Sequence, residues 1–191
     1  MTMLDQYCSL GFNGSSINLE EGSQEGGYFC TPLGMNVIGW ENGIHYGTIE
    51  GCGELIFAVN PDSAVDSHAY PLAQNFEDFL RLILACGTTT AIEQIVWMSR
   101  ERFEDFVKQD PRPQGNEDSL RRLQTELKLQ PMEQPYDYVK ALQESFDNSK
   151  LQYSNEYYDT LGLPRPDGSE LEEQGWDFED VYVYVRRDEK C

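Results

Sequence analysis

The chain has 191 residues, of which 39% are hydrophobic and 12% aromatic, so it is long and apolar enough to bury a core without disulfides or metals. Lys and Arg total 14 against 34 Asp and Glu, and the resulting formal net charge of -20 excludes a surface built for nucleic acid or for an anionic membrane. A charge of this sign favours basic proteins or divalent cations as partners, with a general role in solubility as the alternative.

The cysteine pattern indicates a reducing compartment. The five cysteines are odd in number and widely spaced, which is typical neither of a disulfide framework nor of a zinc finger. Residues 1–7 have no basic region and no apolar stretch, so a signal peptide is not expected. The longest apolar segment, 79–86, is too short to span a bilayer. We therefore expect a cytoplasmic protein that does not contact a membrane.

The first third of the sequence predicts an antiparallel meander. Residues 1–27 are rich in Gly, Ser, Asn and Glu and are predicted to form an irregular opening or a partly ordered arm. Asn42-Gly43 supplies the positive φ angles of a tight hairpin between two strand-like runs. The predicted strands are 35–40, 44–49, 54–60 and 68–72.

The hydrophobic period then changes to that of a helix. Apolar residues recur at the i, i+3, i+4, i+7 and i+8 positions, between a capping Asn75 and a terminating Gly87. We expect this helix to pack on the sheet that contains Leu55, Phe57 and Val59. The helix positions are Phe76, Phe79, Leu80, Ile83 and Leu84.

Shorter helices are predicted beyond it. Thr90 and Glu93 fit a capping box, and Ser99 fits the N-cap of the next helix. A linker at 110–115 separates these helices from two more, the second of which has Pro135 in its first turn. The apolar positions that mark these helices are Ile92, Ile95, Val96, Phe103, Phe106, Val107, Leu120, Leu123, Leu127, Tyr138, Val139, Leu142 and Phe146.

The remainder is predicted to be a polar and aromatic loop at 150–175 followed by an alternating strand at 181–185. We expect one α+β domain over 1–191, in which an antiparallel meander is flanked by helices. Within it, 35–109 form a strand-and-helix core, and 116–191 form a helical and acidic extension that ends in the strand.

No catalytic motif is recognisable. His45 and His68 fall in predicted strands, without a Cys, Asp or Glu at the spacing of metal ligands. We therefore expect no metal, no cofactor and no catalytic residue. The alternative is a small enzyme or ligand-binding protein in which these histidines converge with Cys30 and Cys52 in a pocket on the sheet.

An acidic segment near the C-terminus surrounds two aromatic residues, Trp176 and Phe178. Aromatic anchors among carboxylates suit a surface that docks a basic protein, although the two aromatics would also suit the core. An EF-hand is excluded because the segment after Asp167 lacks the alternating oxygen ligands. The predicted partner-binding residues are Glu170, Glu172, Glu173, Trp176, Asp177 and Glu179.

The segment 35–87 resembles the SUKH superfamily, the group related to fungal cell-wall-synthesis regulators and bacterial immunity proteins. The resemblance rests on Asn42-Gly-Ile-His-Tyr46, on Gly51-Cys-Gly-Glu-Leu-Ile-Phe-Ala-Val59, on Tyr70-Pro-Leu-Ala73 and on Asn75-Phe-Glu-Asp-Phe-Leu80. The family's N-terminal helix is not visible in 1–27, and 110–191 have no recognised counterpart.

The resemblance implies a non-enzymatic α+β domain of the kind that acts as an immunity protein by binding and blocking a toxin. It implies no catalytic residue. Many toxins that attack nucleic acids are basic, which agrees with the acidic charge of this chain. An accessory regulator that has no toxin partner is a further alternative, and the sequence does not indicate an oligomeric state.

Overall fold

The computed structural model is an α+β fold, as predicted, and describes residues 1–11, 13–22, 27–63 and 67–169. Its strands form one antiparallel sheet in the order β1-β2-β3-β4, which is a simple meander. The strands are β1 (Met35–Glu41), β2 (Ile44–Ile49), β3 (Ile56–Val59) and β4 (Ala69–Ala73). The α-helices are α1 (Met3–Ser9), α2 (Phe76–Cys86), α3 (Thr89–Glu93), α4 (Arg100–Gln109), α5 (Asn116–Glu126), α6 (Pro135–Ser145) and α7 (Asn155–Leu161).

The β1–β2 hairpin turns on Asn42 and Gly43, whose φ angles are 43° and 87°. Positive φ at both central positions matches the twist of the flanking strands, and Asn-Gly adopts it at little steric cost. Trp40 pairs with His45 directly across this hairpin. The hairpin predicted from the sequence is therefore confirmed.

Helix α2 lies on one face of the sheet. The side chain of Asn75 accepts a 2.9 Å hydrogen bond from the backbone N–H of Asp78, and Gly87 ends the helix with a φ of 91°. Leu82 is buried although it lies off the predicted stripe, while Leu84 is only half-buried, because α3, α5 and α6 also pack on this helix. The buried residues of α2 are Phe76, Phe79, Leu80, Leu82, Ile83 and Cys86.

Helix α2 packs on this sheet, as predicted, and it covers the face opposite to that of Phe57 and Val59. Ile56 and Ala58 of β3 pack in the same cluster as α2. Phe57 and Val59 belong to a second cluster on the opposite face, against which the half-buried Leu55 packs. Every residue of β3 is apolar and buried, so the alternation that would identify a solvent face is missing.

The segment after α6 closes the second cluster. Phe57 contacts the ring of Phe146 edge-on, with 5.1 Å between the ring centroids, and Leu151 and Tyr157 are buried beside it. Tyr157 lies on α7, so the prediction of a loop throughout 150–175 is wrong. A seven-residue helix spans about two turns, too few for a hydrophobic period to stand out.

Residues 1–27 contain regular structure, so of the two predictions for this segment the irregular opening is wrong. Helix α1 begins with a capping box in which Thr2 Oγ1 accepts from the Asp5 N–H at 3.1 Å and Asp5 Oδ2 accepts from the Thr2 N–H at 2.7 Å. A 3₁₀ turn at Gly14–Ile17 follows, and Ile17 and Leu19 are buried in the main core. The box has Asp where Glu or Gln is usual, which weakens its signal in the sequence.

The start of α3 differs from the predicted capping box. Its N-cap is Thr88, whose side chain accepts from the Ala91 N–H at 3.4 Å. Thr90 instead donates to Glu41, and Glu93 accepts from residues of the sheet. The side chains that resemble a local cap are therefore used in contacts distant in sequence.

The later helices follow the prediction more closely. Ser99 caps α4 by accepting from the Arg102 N–H at 3.4 Å, and Pro135 occupies the first turn of α6. Leu123 of α5 and Val139 of α6 are buried in the main core.

Among the described residues, no single helix has the length and apolar character needed to cross a membrane. The segments Phe76–Cys86 and Thr89–Val96 have this length and apolar composition only when they are taken together, and a bend of 100° separates them. The predicted strand at 181–185 lies outside the described residues.

Candidate functional site

A groove of about 610 Å³ lies at the end of the sheet opposite the β1–β2 hairpin. Three parts of the fold line it, namely the first turn of α1, one end of the sheet and the first turn of α2. Its volume falls within the range of about 300–1,000 Å³ that is usual for binding sites. We call it the α1–α2 groove.

The sheet side of the α1–α2 groove combines apolar and neutral polar side chains. Asn36 and Ile38 of β1, Thr48 of β2 and Ile56 of β3 line it. Asn36 and Thr48 share one face of the sheet because they pair directly across the strands, and Ile38 and Ile56 belong to the main core on that face. Ile56 is only 1% exposed, whereas Ile38 and Thr48 are half-buried, so the groove gives access to the edge of the main core.

The helical sides of the groove are held by local caps and by an aromatic contact. The Thr2–Asp5 capping box fixes the first turn of α1, which places Met3 and Leu4 at the groove. Tyr7 of α1 packs edge-on against Phe76 of α2, with 5.4 Å between the ring centroids. The two helices are thereby joined beside the groove.

The only ionised side chains among the described residues that line the groove are carboxylates. Glu54, just before β3, and Glu77, in the first turn of α2, are both exposed. The first Lys or Arg in the sequence is Arg81, which is bound to Asp78 at 3.0 Å and to the carbonyl oxygen of Gln130 at 3.2 Å. The groove is therefore apolar within and negative at its rim.

The sequence did not indicate this groove. Met3 and Leu4 belong to a segment that was predicted to be an irregular opening or a partly ordered arm, and the two glutamates are far apart in the sequence. The signal that could have pointed to it is the complete lack of Lys and Arg before Arg81.

The partner-binding residues predicted from the sequence lie outside the described residues. They are Glu170, Glu172, Glu173, Trp176, Asp177 and Glu179.

His45, Cys30 and Cys52 lie on the sheet face opposite α2, and His68 contacts Phe29 and Tyr157 of the cluster that covers this face. His45 pairs with Val59, and Cys30 and Cys52 are buried in the cluster that contains Val59. His45 Nε2 lies 3.2 Å from Thr31 Oγ1, whereas its Nδ1 atom has no hydrogen-bond partner among the described residues. Among all the residues that the structure describes, no group of three or more His, Cys, Asp or Glu side chains could hold a metal ion.

The protonation of these groups is opposite to that of an activated pair. Burial raises the pKa of the Cys30 thiol to about 11 and lowers the pKa of His45 to about 4. Burial also lowers the pKa of His68. Nucleophilic cysteines have a lowered pKa and sit beside a cationic imidazole. At neutral pH, Cys30 is therefore a thiol and His45 is neutral.

Two buried glutamates join α3 to the sheet, and the first is Glu41 at the end of β1. The hydroxyls of Tyr46 and Thr89 each donate to Glu41 Oε2 at 3.0 Å. Thr90 donates to Oε1, and Asn18 Nδ2 lies 3.4 Å from the same atom. Burial raises the pKa of Glu41 above its ordinary value.

The second buried carboxylate is Glu93, at the end of α3. Asn60 Nδ2 donates to Glu93 Oε1 at 2.9 Å, and the hydroxyl of Tyr70 donates to the same atom at 2.6 Å. Gln94 and Trp97 donate to Oε2 at 3.0 and 3.3 Å. Both glutamates are thus saturated with neutral donors and shielded from solvent, which suits the attachment of α3 better than proton transfer.

Comparison with known proteins gives no relative: no family model, no curated protein and no solved structure matches this chain.

Proposed function

We propose that the chain is a non-enzymatic, cytoplasmic protein-binding domain whose partner is a basic protein. The resemblance of 35–87 to the SUKH superfamily supports the more specific role of an immunity protein that neutralises a basic toxin. If no toxin is involved, we propose that the chain is an accessory regulator that binds a basic protein.

The distribution of charge carries the proposal. Before Arg81 the sequence has no Lys or Arg, and this segment supplies the whole sheet. Every ion pair between two described residues joins side chains that lie between Asp78 and Arg165. Within the part of the chain that the structure describes, no carboxylate before Asp78 forms an ion pair, so these carboxylates are available to steer a cationic partner.

The protonation of the Cys and His side chains supports the same proposal over the alternative of an enzyme. The buried Cys30 thiol has a raised pKa and His45 has a lowered pKa, so neither is activated at neutral pH. Among the described residues, the buried Glu41 and Glu93 accept hydrogen bonds only from neutral donors. These features are typical of a structural core.

The acidic segment around Trp176 is proposed as one contact region for the partner, on the strength of its composition. The carboxylates would accelerate association, and the aromatic side chains would provide the buried anchor. The residues are Glu170, Glu172, Glu173, Trp176, Asp177 and Glu179.

The test begins with affinity purification from the native organism and identification of the bound proteins. Association of the purified partner is then measured at increasing salt, for the wild type and for a variant with Glu170→Lys, Glu172→Lys and Glu173→Lys. We expect the on-rate to fall steeply as salt rises past physiological strength, where the screening length is about 8 Å. The triple variant should lower the on-rate far more than the melting temperature, because exposed charges contribute little to folding.

A matched variant with Glu101→Lys, Glu104→Lys and Glu117→Lys makes the same change in net charge on α4 and α5, where all three side chains are exposed. It should slow association less than the C-terminal variant does. If the on-rate responds neither to salt nor to any of the substitutions, the acidic surface serves solubility and does not steer the partner. If the two variants lower the on-rate equally, the C-terminal segment is not a specific contact region.

A further inference from the structure

The geometry points to the α1–α2 groove as a docking site for a cationic segment of the partner, in which one apolar side chain is flanked by Lys or Arg. This inference rests on the proposed function and specifies where, and by what chemistry, a basic partner would bind. It concerns a surface separate from the acidic segment around Trp176.

The interior of the groove fits an apolar side chain. Met3, Leu4 and Ile38 are half-buried at its lining, and Ile56 and Phe76 lie deeper, at 1% and 8% exposure. An inserted aliphatic or aromatic side chain would remove the remaining exposed apolar surface from water. Anchors of this kind, in a pocket with a polar rim, supply most of the binding energy in protein interfaces.

The rim selects the sign of the flanking charges. Glu54 and Glu77 approach the groove from different elements, one before β3 and one in α2, and both are exposed. Among the described lining residues no cation offsets them, and Arg81 on the next turn of α2 is already bound to Asp78. A segment with Lys or Arg on either side of its apolar anchor would therefore be attracted, while an acidic segment would be repelled.

Helix α1 provides a signature of docking that does not depend on an affinity. None of its residues is buried, and its half-buried Met3, Leu4 and Tyr7 pack against the main core. A ligand in the groove would add contacts to its first turn. We expect slower amide hydrogen exchange in Met3–Ser9 when the groove is occupied.

The probe is a phage-displayed library of random peptides, selected on the full-length protein, followed by synthesis of the enriched sequences. We expect enrichment of Lys or Arg around a single apolar residue. In fluorescence anisotropy, a variant with Glu54→Lys and Glu77→Lys should bind these peptides at least about tenfold more weakly. The control with Glu101→Lys and Glu117→Lys makes the same change in net charge at exposed helical sites, and its affinity should stay within about twofold to threefold of the wild type.

The variant Ile38→Ser tests the apolar contribution to peptide binding separately from the contribution of the charges. It should weaken peptide binding while leaving the salt dependence of binding unchanged, and circular dichroism checks that the variant is folded. Hydrogen exchange of the wild-type complex provides the second readout, with protection expected in Met3–Ser9 and at Ile38.

The outcomes distinguish the two proposals. If cationic peptides lose affinity equally for the groove variant and for the control, the docking site is overturned, while a basic partner remains possible at another surface. The same holds if peptide binding leaves hydrogen exchange in α1 unchanged. Selection of peptides without cationic residues would overturn both. Tighter peptide binding by a variant with Arg186→Glu and Arg187→Glu would identify the chain's own C-terminal segment as the occupant and would also overturn the docking site for a partner.

Discussion

The Nδ2 atom of Asn116 donates a 2.8 Å hydrogen bond to the backbone carbonyl oxygen of Ser16, one hundred residues earlier in the chain. The same atom donates a second 2.8 Å bond to the carbonyl oxygen of Gly87. Asn116 is only 3% exposed, and the hydroxyl of Ser16 lies 2.6 Å from that of Ser119. One buried amide thus joins the N-terminal segment, the end of α2 and the start of α5.

Asn116→Ala removes the donor for both carbonyl oxygens in a site closed to water. We expect a loss of about 2–4 kcal/mol in the free energy of unfolding, measured with urea, because each unsatisfied buried polar group costs about 1–3 kcal/mol. The exposed Asn155→Ala is the control and should stay within about 0.5 kcal/mol of the wild type. A loss no larger than that of the control would show that these carbonyl oxygens do not depend on Asn116.

Phe79→Ala and Phe57→Ala probe the two faces of the sheet separately. Each should cost about 3–5 kcal/mol, since both side chains are fully buried. The two losses should add in the double variant to within about 0.5 kcal/mol, because the residues belong to different clusters. The exposed Leu163→Ala serves as the control, and a small loss for Phe57→Ala alone would contradict burial of the face opposite α2.

Gly87→Ala places a side chain at a φ of 91°, where a Cβ would lie 2.1 Å from Arg112 Nη1. This guanidinium donates to the carbonyl oxygens of Cys86 and Val107 at 2.7 and 2.9 Å. Gly162→Ala is the matched control, because Gly162 has a φ of 65° and open space around it. We expect the control to lose about 1–2 kcal/mol by urea unfolding and Gly87→Ala to lose more. Equal losses would mean that Arg112 moves aside freely.

Glu41→Gln tests the buried carboxylate through the pH dependence of stability. Burial raises the folded-state pKa of Glu41, so its favourable contribution is complete below the unfolded-state pKa and is lost as the pH rises through the folded value. The stability of the wild type relative to Glu41→Gln should therefore increase as the pH is lowered from neutrality toward 4.5. A difference between wild type and Glu41→Gln that does not vary with pH would show that Glu41 does not titrate in this range.

The sequence predicts those parts of this fold that have local causes. Asn42 and Gly43 determine the hairpin because few other residues accept positive φ, and Asn75 determines where α2 begins. The faces of β3 could not be predicted, since Phe57 and Ile56 are equally apolar and only distant residues decide what covers each of them. Thr90 resembles a cap locally, but its hydroxyl binds Glu41, which the sequence places 49 positions away.

The candidate groove was unpredictable for a related reason. Its lining comes from segments that are separate in sequence, and Met3 and Leu4 lie on a helix too short to show a hydrophobic period. The acidity of its rim, in contrast, follows directly from the sequence, where Arg81 is the first cation.

The burial of β3 on both faces has a consequence for synthesis of the chain. The ribosome makes β1 to β4 before Leu151 and Tyr157, which are buried on the face that carries Phe57 and Val59. A nascent chain that ends after β4 therefore exposes the part of this apolar surface that Leu151 and Tyr157 cover in the native state. We expect the native state to be reached only once α7 has emerged, and the ribosome-bound intermediate to depend on chaperones that shield apolar strands.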